Sequence, residues 1–310
     1  MSNSSLVNKY LLFRPCRSKL AIKNQPNDKA IQMIFGDAPL VMGVLNVTPD
    51  SFSDGGDYVS VGKALGRALE MVGHGVDLID IGGESTRPGA AVVSVDDELG
   101  RVLPVIEALR NRVDIPLSVD TSSPEVMTQS AAMGASLIND VRGLRRAGAL
   151  QAAQATGLPV CIMHMQGDPE TMQLDPHYHD LIEDIKSFLV ERIEACEKVG
   201  LAKQKLILDP GFGFGKSPAH NLTLINRLAD FKTFELPILV GLSRKSTISK
   251  LLAQQNFNPS QEEVDIIDAS VAGALLAIER GASIIRVHDV KQTVIALKVR
   301  QAIQLESIFE

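Results

Sequence analysis

The sequence predicts an α/β chain folded as a single (β/α)8 TIM barrel, with a short N-terminal extension. Eight short apolar segments alternate with longer helical patterns from residue 40 onward, which is typical of βα units in a parallel sheet. Almost every apolar segment ends in polar residues. The 310 residues also suit one barrel of about 250 residues plus an extension. An open doubly wound sheet is the alternative, which the even spacing of eight strands disfavours.

The predicted strands cover residues 40–47, 77–83, 115–121, 136–141, 158–165, 205–211, 236–243 and 283–290. Three of them start just after a proline, a residue tolerated at the first position of a strand: Pro116, Pro159 and Pro237. A helix is predicted over 94–112, with Ser94 as N-cap and Glu98 in the first turn. A second long helix, charged on one face, is predicted over 178–199. Domain bounds follow: an extension over 1–38 and the barrel over 39–310.

Composition restricts the class of protein. The chain is 45% hydrophobic and 22% charged, with a net charge of -6, which is typical of a globular protein without a broad nucleic-acid surface. Three scattered cysteines indicate reduced thiols in a cytoplasmic protein. The sequence contains neither an apolar stretch of membrane-spanning length nor a signal-peptide core. Residues 1–30 are basic and rich in Ser and Asn, and we expect them to pack on the barrel; a transit peptide is the alternative.

The segment "GFGFGKS" (211–217) resembles a phosphate-binding P-loop. That motif, G-x-x-x-x-G-K-[ST], needs a glycine five residues before its second glycine. Pro210 occupies that position, so the motif is incomplete. The segment also follows Asp209, a carboxylate at the end of a predicted strand, which would be an unfavourable neighbour for phosphate.

Polar residues close all eight predicted strands: Asn46, Glu84, Asp120, Asn139, His164, Asp209, Ser243 and His288. In a (β/α)8 barrel, the carboxyl ends of the strands form the active-site face. Each of these residues alone could be a turn residue. Their occurrence at every strand end favours a ligand-binding barrel, and most simply an enzyme.

Cationic residues lie near the same ends: Arg87, Arg244, Lys245, Arg286 and His288. Arginine binds phosphate or carboxylate with two parallel hydrogen bonds. Arg286 and His288 are two residues apart on one strand, so their side chains point to the same side. They therefore predict an anion clamp at the barrel mouth. The alternative is that Arg286 pairs with Asp289 or Glu279.

Three strand ends, at Asp120, Asn139 and Asp209, could converge on the barrel axis. Two carboxylates and an amide would fit a flat heterocycle with a guanidine-like edge. One alternative is a metal cluster, although histidines at ligand spacing are missing, and Lys245 could supply the nearby cation instead. Another is that each acid caps the following helix.

The first loop, "NVTPDSFSDGG" (46–56), is rich in Pro, Ser and Gly and predicts a mobile lid. Asn46 offers a hard oxygen that could hold one Mg²⁺ together with phosphate and water. A nucleophilic serine or cysteine is disfavoured, since G-x-S-x-G is missing and Cys161 lies mid-strand. His164 is interpreted as structural.

Taken together, the motifs resemble those of the dihydropteroate synthase family. The resemblance extends from about residue 40 to 295, in order and on every strand. It rests on "GVLNVTPDSFSDGG", "DIGGESTRPGA", "SVDT", "INDV", "MHMQGDP", "LDPGFGFGKS", "GLSRKS" and "RVHDV".

The resemblance implies a barrel enzyme, usually a homodimer, that joins (7,8-dihydropterin-6-yl)methyl diphosphate to 4-aminobenzoate and releases diphosphate. The implied pterin-binding residues are Asp120, Asn139, Asp209 and Lys245. The implied diphosphate contacts are Asn46, Thr86, Arg87, Arg286 and His288, with Mg²⁺ on Asn46. The implied aminobenzoate contacts are Phe52, Pro88, Phe214 and Ser246. Of these residues, the catalytic set comprises Asn46, Arg87, Lys245, Arg286 and His288.

Two features depart from the family pattern. The N-terminal 35 or so residues exceed what the barrel requires, and 256–272 lacks the Arg and Gly-Thr expected in a region that helps form the dimer in many relatives. Two other functions remain open. A methyltransferase module that presents methyl-tetrahydrofolate to a corrinoid protein would not need the cationic motifs, and a catalytically silent pterin-binding paralogue would have lost some of them.

Overall fold

The computed structural model describes residues 38–48, 57–85, 93–168, 171–255 and 263–307. Its strands are β1 (Leu40–Asn46), β2 (Leu78–Gly82), β3 (Leu117–Asp120), β4 (Leu137–Asp140), β5 (Val160–Met163), β6 (Leu206–Asp209), β7 (Leu239–Val240) and β8 (Ile284–Val287). Its helices are α1 (Asp57–Gly73), α2 (Val95–Arg110), α3 (Pro124–Met133), α4 (Ala149–Thr156), α5 (Leu181–Lys198), α6 (Pro218–Asn226), α7 (Ser246–Gln254), α8 (Glu263–Glu279) and α9 (Val290–Leu305). The predicted alternation is confirmed. The extension proposed for 1–38 lies almost entirely outside the described residues.

All eight strands are parallel and follow the order β6-β5-β4-β3-β2-β1-β8-β7. A bridge between Leu208 and Ile238 joins the two ends of this order. The sheet therefore closes on itself as a (β/α)8 barrel, and the open doubly wound alternative is wrong. No helix in the described ranges is long and apolar enough to cross a membrane.

The prolines before β3, β5 and β7 show how the strands start. A proline cannot donate to a sheet, but its carbonyl can still accept. Those of Pro116, Pro159 and Pro237 accept backbone hydrogen bonds of 2.9–3.2 Å from Ile79, Ile138 and Leu208. Each proline thus extends the sheet by one bond without needing a donor.

The predicted helix boundaries are close to those observed. Helix α2 begins after Ser94, whose hydroxyl accepts from the backbone N–H of Asp97 at 3.1 Å. The second predicted helix is α5, which starts three residues later than expected, after Asp180 as N-cap. Both caps satisfy backbone donors that a helix start leaves unpaired.

The barrel interior holds a layer of buried apolar side chains, here called the inner apolar layer: Leu40, Met42, Leu78, Leu137, Cys161, Ile207, Leu239 and Ile284. A larger apolar cluster fills the space between the strands and the surrounding helices. The inner apolar layer closes the lower part of the barrel, so any ligand along the axis must enter from the carboxyl ends of the strands.

Polar residues follow the inner apolar layer at a fixed interval. Two residues after Leu78, Leu137, Ile207 and Ile284 come Asp80, Asn139, Asp209 and Arg286. Side chains two apart on a strand share a face, so these four also point into the barrel. With Asp120, which pairs with Arg286, they form what we call the axial polar layer.

Candidate active site

Arg286 binds two carboxylates within the axial polar layer. Its Nε donates to Asp80 Oδ2 at 2.6 Å, and its Nη2 donates to Asp120 Oδ2 at 2.8 Å. Asn139 Nδ2 donates to the same Asp80 oxygen at 3.0 Å. Side chains from β2, β3, β4 and β8 are therefore tied together across the barrel mouth.

The charges in this layer perturb one another. Burial raises the pKa of Asp120 to about 7; Arg286 opposes the shift, and Asp80 adds to it. Burial alone would lower the pKa of Arg286, but Asp80 and Asp120 raise it above its ordinary value. The guanidinium therefore stays charged, whereas Asp120 can change protonation near neutral pH.

Asp209 and Lys245 lie on the opposite side of the mouth. Burial raises the pKa of Asp209, and the nearby Lys245 opposes that shift. Burial lowers the pKa of Lys245 to about 7, against the attraction of Asp209. The Lys245 ammonium donates to the Phe212 carbonyl and lies 4.3 Å from the centre of the Phe214 ring.

Glycines shape the loop between β6 and α6 around this lysine. Gly211 has a φ of 74°, and a Cβ there would lie 1.8 Å from the His164 carbonyl oxygen. A Cβ at Gly213 would lie 2.7 Å from Lys245 Cδ. Both positions therefore exclude a side chain, since either would collide with a neighbour.

The lysine of "GFGFGKS" faces inward. Lys216 is buried, with its Nζ 2.9 Å from His164 Nδ1 and donating to the Phe214 carbonyl at 3.1 Å. Burial lowers the pKa of His164 to about 2, so its imidazole is neutral and its Nδ1 can accept. Lys216 therefore links this loop to His164, and the structural interpretation of His164 stays a prediction.

Asn46 ends β1 half-buried, next to Gly82 on β2. A Cβ at Gly82 would lie 3.7 Å from both Asn46 Oδ1 and Asp120 Oδ2. Of these two oxygens, Asp120 Oδ2 already accepts from Arg286 Nη2, whereas the amide oxygen of Asn46 is a hard donor of the kind that suits Mg²⁺. The described residues contain no group of three or more His, Cys, Asp or Glu able to hold a metal, so the alternative of a protein-only metal cluster finds no support there.

His288 follows β8 directly, and its Nδ1 lies 3.2 Å from Ser243 Oγ. Its backbone carbonyl accepts from Arg67 at 3.0 Å. Arg286 lies on the same side of the strand but deeper, bound to Asp80 and Asp120. The two residues predicted as a clamp are therefore stacked along the axis.

The alternative partners considered for Arg286 are wrong. Asp289 binds Arg244, with contacts of 2.9 and 2.5 Å. Glu279 binds Arg300 at 2.5 Å. Asp289 differs in parity from Arg286 and so points away from the barrel axis, and the Glu279–Arg300 pair links α8 to α9.

The capping alternative for the three polar strand ends is also wrong. The N-cap positions of α3, α4 and α6 belong to Ser123, Gly148 and Ser217. The carboxylate of Asp209 instead accepts from the Gly211 N–H at 2.7 Å, inside the site.

One strand end was misassigned. Glu84 lies two residues beyond β2 and forms a pair of hydrogen bonds, 3.0 and 3.2 Å long, with Arg142. The acid that β2 sends into the barrel is Asp80, which the sequence reasoning missed. Asp80 could have been predicted because it is the one carboxylate within β2 and lies two residues after Leu78, on the same face of the strand.

The remaining predicted contacts are only partly described. Phe214 is half-buried beside Lys245, and Ser246 is the exposed first residue of α7. The N-cap of that helix is Lys245, whose side chain makes no capping bond among the described residues. Thr86, Arg87, Phe52 and Pro88 lie outside the described residues.

Comparison with known proteins decides the family. A profile described as pterin binding enzyme matches residues 42–288. Dihydropteroate synthase of Escherichia coli (strain K12) is 55% identical over 264 residues, covering 85% of this chain and 91% of the relative. The chain belongs to the dihydropteroate synthase family. It is accordingly a transferase, as the motifs implied.

Solved structures of relatives agree. The dihydropteroate synthase of Yersinia pestis in a sulfonamide drug complex has a TM-score of 0.80 and 56% identity, covering 86% of this chain and 95% of that one. The enzyme from Xanthomonas albilineans, in complex with 7,8-dihydropteroate, has a TM-score of 0.76 and 43% identity, covering 88% and 96%. The barrel of this dihydropteroate synthase family member is thus matched over nearly the full length of both relatives.

Proposed function

We propose that this enzyme condenses (7,8-dihydropterin-6-yl)methyl diphosphate with 4-aminobenzoate to give 7,8-dihydropteroate and diphosphate. The observation that carries the proposal is the axial polar layer, which places carboxylates, an amide and a guanidinium above an apolar floor. A flat ring with several N–H donors along one edge matches that arrangement. The Xanthomonas albilineans relative in complex with 7,8-dihydropteroate supports this ligand class.

The pterin ring would lie between Asp120 and Asp209, with Asn139 along its edge. Ionised carboxylates accept from the ring N–H and amino groups. Lys245, already aimed into the mouth over Phe212 and Phe214, would donate to an acceptor on the opposite edge of the ring.

The diphosphate would lie above the pterin, towards His288 and the loop that carries Thr86 and Arg87. Arg286 has five N–H donors, of which Asp80 and Asp120 use two. The remaining donors are available to the departing diphosphate without a change in the orientation of the guanidinium. Donors already in place when negative charge develops stabilise the transition state without rearrangement.

Asn46 is the residue we propose to hold Mg²⁺, since its amide supplies a hard oxygen at the carboxyl end of β1, beside Gly82. When bound, the ion would neutralise charge on the diphosphate. Asn46 itself needs no change of position to present its oxygen at the end of β1.

The reaction requires the methylene C–O bond to break, with its electron pair leaving on diphosphate. The amine lone pair of 4-aminobenzoate then forms the C–N bond, and one amine proton leaves to solvent. The carboxylates of Asp120 and Asp209 favour positive charge developing on the pterin. An aromatic amine is neutral at pH 7, so a strong general base is not needed.

The aminobenzoate would bind at the outer edge of the mouth, against Phe214 and Ser246, with Phe52 and Pro88 from the first two loops. Its carboxylate would meet the start of α7, where the N-cap residue Lys245 makes no side-chain capping bond. Helix starts attract anions because those groups carry partial positive charge.

We also propose a cytoplasmic homodimer. Ile295, Val299 and Ile303 are exposed at four-residue spacing on α9, and Leu276 is exposed on the neighbouring α8. Such a stripe is typical of an interface. Val299→Glu should shift the mass measured by light scattering from dimer to monomer, while an unchanged dimer would place the interface elsewhere. The buried thiols of Cys161 and Cys196 fit a reducing compartment.

Diphosphate release tests the activity. We expect release only with both substrates present, and a strong decrease without Mg²⁺. Pterin binding without release would indicate a silent paralogue, and methyl transfer from methyl-tetrahydrofolate to a corrinoid protein would indicate the methyltransferase. Either result would reject the synthase.

A further inference from the structure

Asp80 is the most deeply buried charge in the site, with a relative exposure of 0%. It lies on β2 between Ile79 and Ile81, which are equally buried. Burying a carboxylate in an apolar strand is unfavourable unless it is paired and hydrogen-bonded. A residue kept there at such a cost needs an explanation beyond packing.

Only one oxygen of this carboxylate is used within the described part of the chain. Asp80 Oδ2 accepts from both Arg286 Nε and Asn139 Nδ2, whereas Oδ1 has no partner. Both donors belong to residues proposed to contact substrate, and they come from strands on either side of β2. The carboxylate is thus arranged to hold these two side chains and nothing else described.

The chemistry of Asp80 fixes which way Asn139 faces. An ionised carboxylate can only accept, so the amide must turn its NH₂ group towards Asp80 and its oxygen away. The amide retains one N–H, adjacent to its free oxygen. Without Asp80, the two amide orientations would be close in energy.

A pterin presents a matching adjacent pair along its ring edge, for example the 2-amino donor beside the ring N1 acceptor. We propose that Asp80 is a positioning residue, which fixes the amide of Asn139 to read this donor–acceptor pair and holds Arg286 across the mouth. The inference rests on the proposed function, because it assigns the support of that same pterin site.

The test replaces Asp80 with asparagine, which keeps its shape and removes its charge. Asp77→Asn is the matched control. Asp77 lies on the amino-terminal side of the same strand and accepts from the Val41 N–H at 2.8 Å, far from the mouth. The probe is 6-hydroxymethyl-7,8-dihydropterin, whose dissociation constant is measured by calorimetry for each variant.

We expect Asp80→Asn to raise this dissociation constant, and the KM for the pterin diphosphate, by about 10- to 100-fold, the range for a lost hydrogen bond to a charged group. The KM for 4-aminobenzoate should stay near its wild-type value, because neither held side chain contacts that substrate. Asp77→Asn should bind pterin like the wild type. Unchanged pterin affinity in Asp80→Asn, or an equal rise in KM for both substrates, would overturn the proposal.

A double-mutant cycle separates positioning from general stabilisation. If Asp80 acts partly through Asn139, Asp80→Asn should weaken pterin binding clearly less in an Asn139→Ala background than in the wild type. Costs that simply add would contradict the proposal. Should Asp80→Asn fail to fold, Asp80→Ser keeps an uncharged acceptor and goes through the same measurements.

The calorimetric comparison does not depend on turnover. If the wild type binds pterin but releases no diphosphate, the proposed synthase fails while the binding data still decide the role of Asp80. If the wild type turns over and Asp80→Asn binds pterin normally, only the positioning role fails.

Discussion

The two ends of the same barrel strands differ in chemistry although both point into the barrel. On β8, Ile284 is 0% exposed, and Arg286, two residues later on the same face, has a side chain only 21% exposed. The first loses water favourably, whereas the second requires two carboxylates to compensate for its burial. Residues in the inner apolar layer thus stabilise the barrel, whereas residues in the axial polar layer, nearer the carboxyl ends of the strands, provide its reactive groups.

Arg286→Ala should produce the largest effect. We expect kcat/KM for the pterin diphosphate to fall about 1,000-fold, because truncating one partner of buried charge pairs also leaves Asp80 and Asp120 without compensation. Diphosphate release is the measurement. Arg286→Lys keeps the charge but loses the planar guanidinium, so its kcat/KM should lie between those of the wild type and Arg286→Ala. Full activity in either variant would show that the reaction does not depend on this side chain.

Ile284→Ala is the matched change in the inner apolar layer. We expect the free energy of unfolding to fall by about 2–5 kcal/mol, the range for removing a large buried aliphatic side chain. Below its melting temperature the variant should turn over at close to the wild-type rate. Urea denaturation and the same release assay check both parts. A large loss of turnover without a loss of stability would show that the inner apolar layer contributes to the reaction and not only to stability.

The activity should depend on pH through two groups at the carboxyl ends of the strands. The pKa of Asp120 is raised to about 7 and that of Lys245 is lowered to about 7. Below pH 7, protonation of Asp120 removes an acceptor for pterin. Above pH 7, deprotonation of Lys245 removes a cationic donor. We therefore expect kcat/KM for the pterin substrate to be bell-shaped around neutrality, changing by up to about 10-fold per pH unit on each side.

Two variants identify the limbs of that profile. Asp120→Asn cannot titrate, so its acid limb should flatten even though its activity is lower. Lys245→Arg stays cationic, so its alkaline limb should flatten. A wild-type profile that is level from pH 6 to pH 8 would show that neither group titrates in the free enzyme.

Ser94→Ala should have the smallest effect. Loss of this N-cap should lower the free energy of unfolding by about 1 kcal/mol. Turnover should not change, since the Ser94 hydroxyl bonds only to Asp97 among the described contacts. Thermal melts and the release assay, run side by side, measure this. A decrease in turnover would mean that the start of α2 contributes to the site.

The fold was predictable because it depends on local signals. Alternating apolar segments and helical patterns, the prolines before strands and the Ser94 cap are all readable within a few residues, and the structure confirms them. Asp120, Asn139 and Asp209 were predicted from the same kind of signal, since each ends its strand or lies next to its end, and the structure places all three in the axial polar layer.

The partners of these residues were not predictable in the same way. Arg286 meets Asp80 and Asp120 across 206 and 166 residues of chain, which requires the barrel to be closed in the right register. Asp80 was missed because attention to strand ends selects Glu84. Counting in steps of two from Leu78 would have selected the residue that faces the axis.

The decisive measurement is a crystal structure with a bound 6-hydroxymethylpterin. We expect the ring to lie above the inner apolar layer, with Asp209 and Asp120 within hydrogen-bonding distance of its N–H and amino groups, and with the NH₂ group of Asn139 turned towards Asp80. A ring bound elsewhere, with Asp209 and Asp120 facing only water, would show that the axial polar layer is not the pterin site.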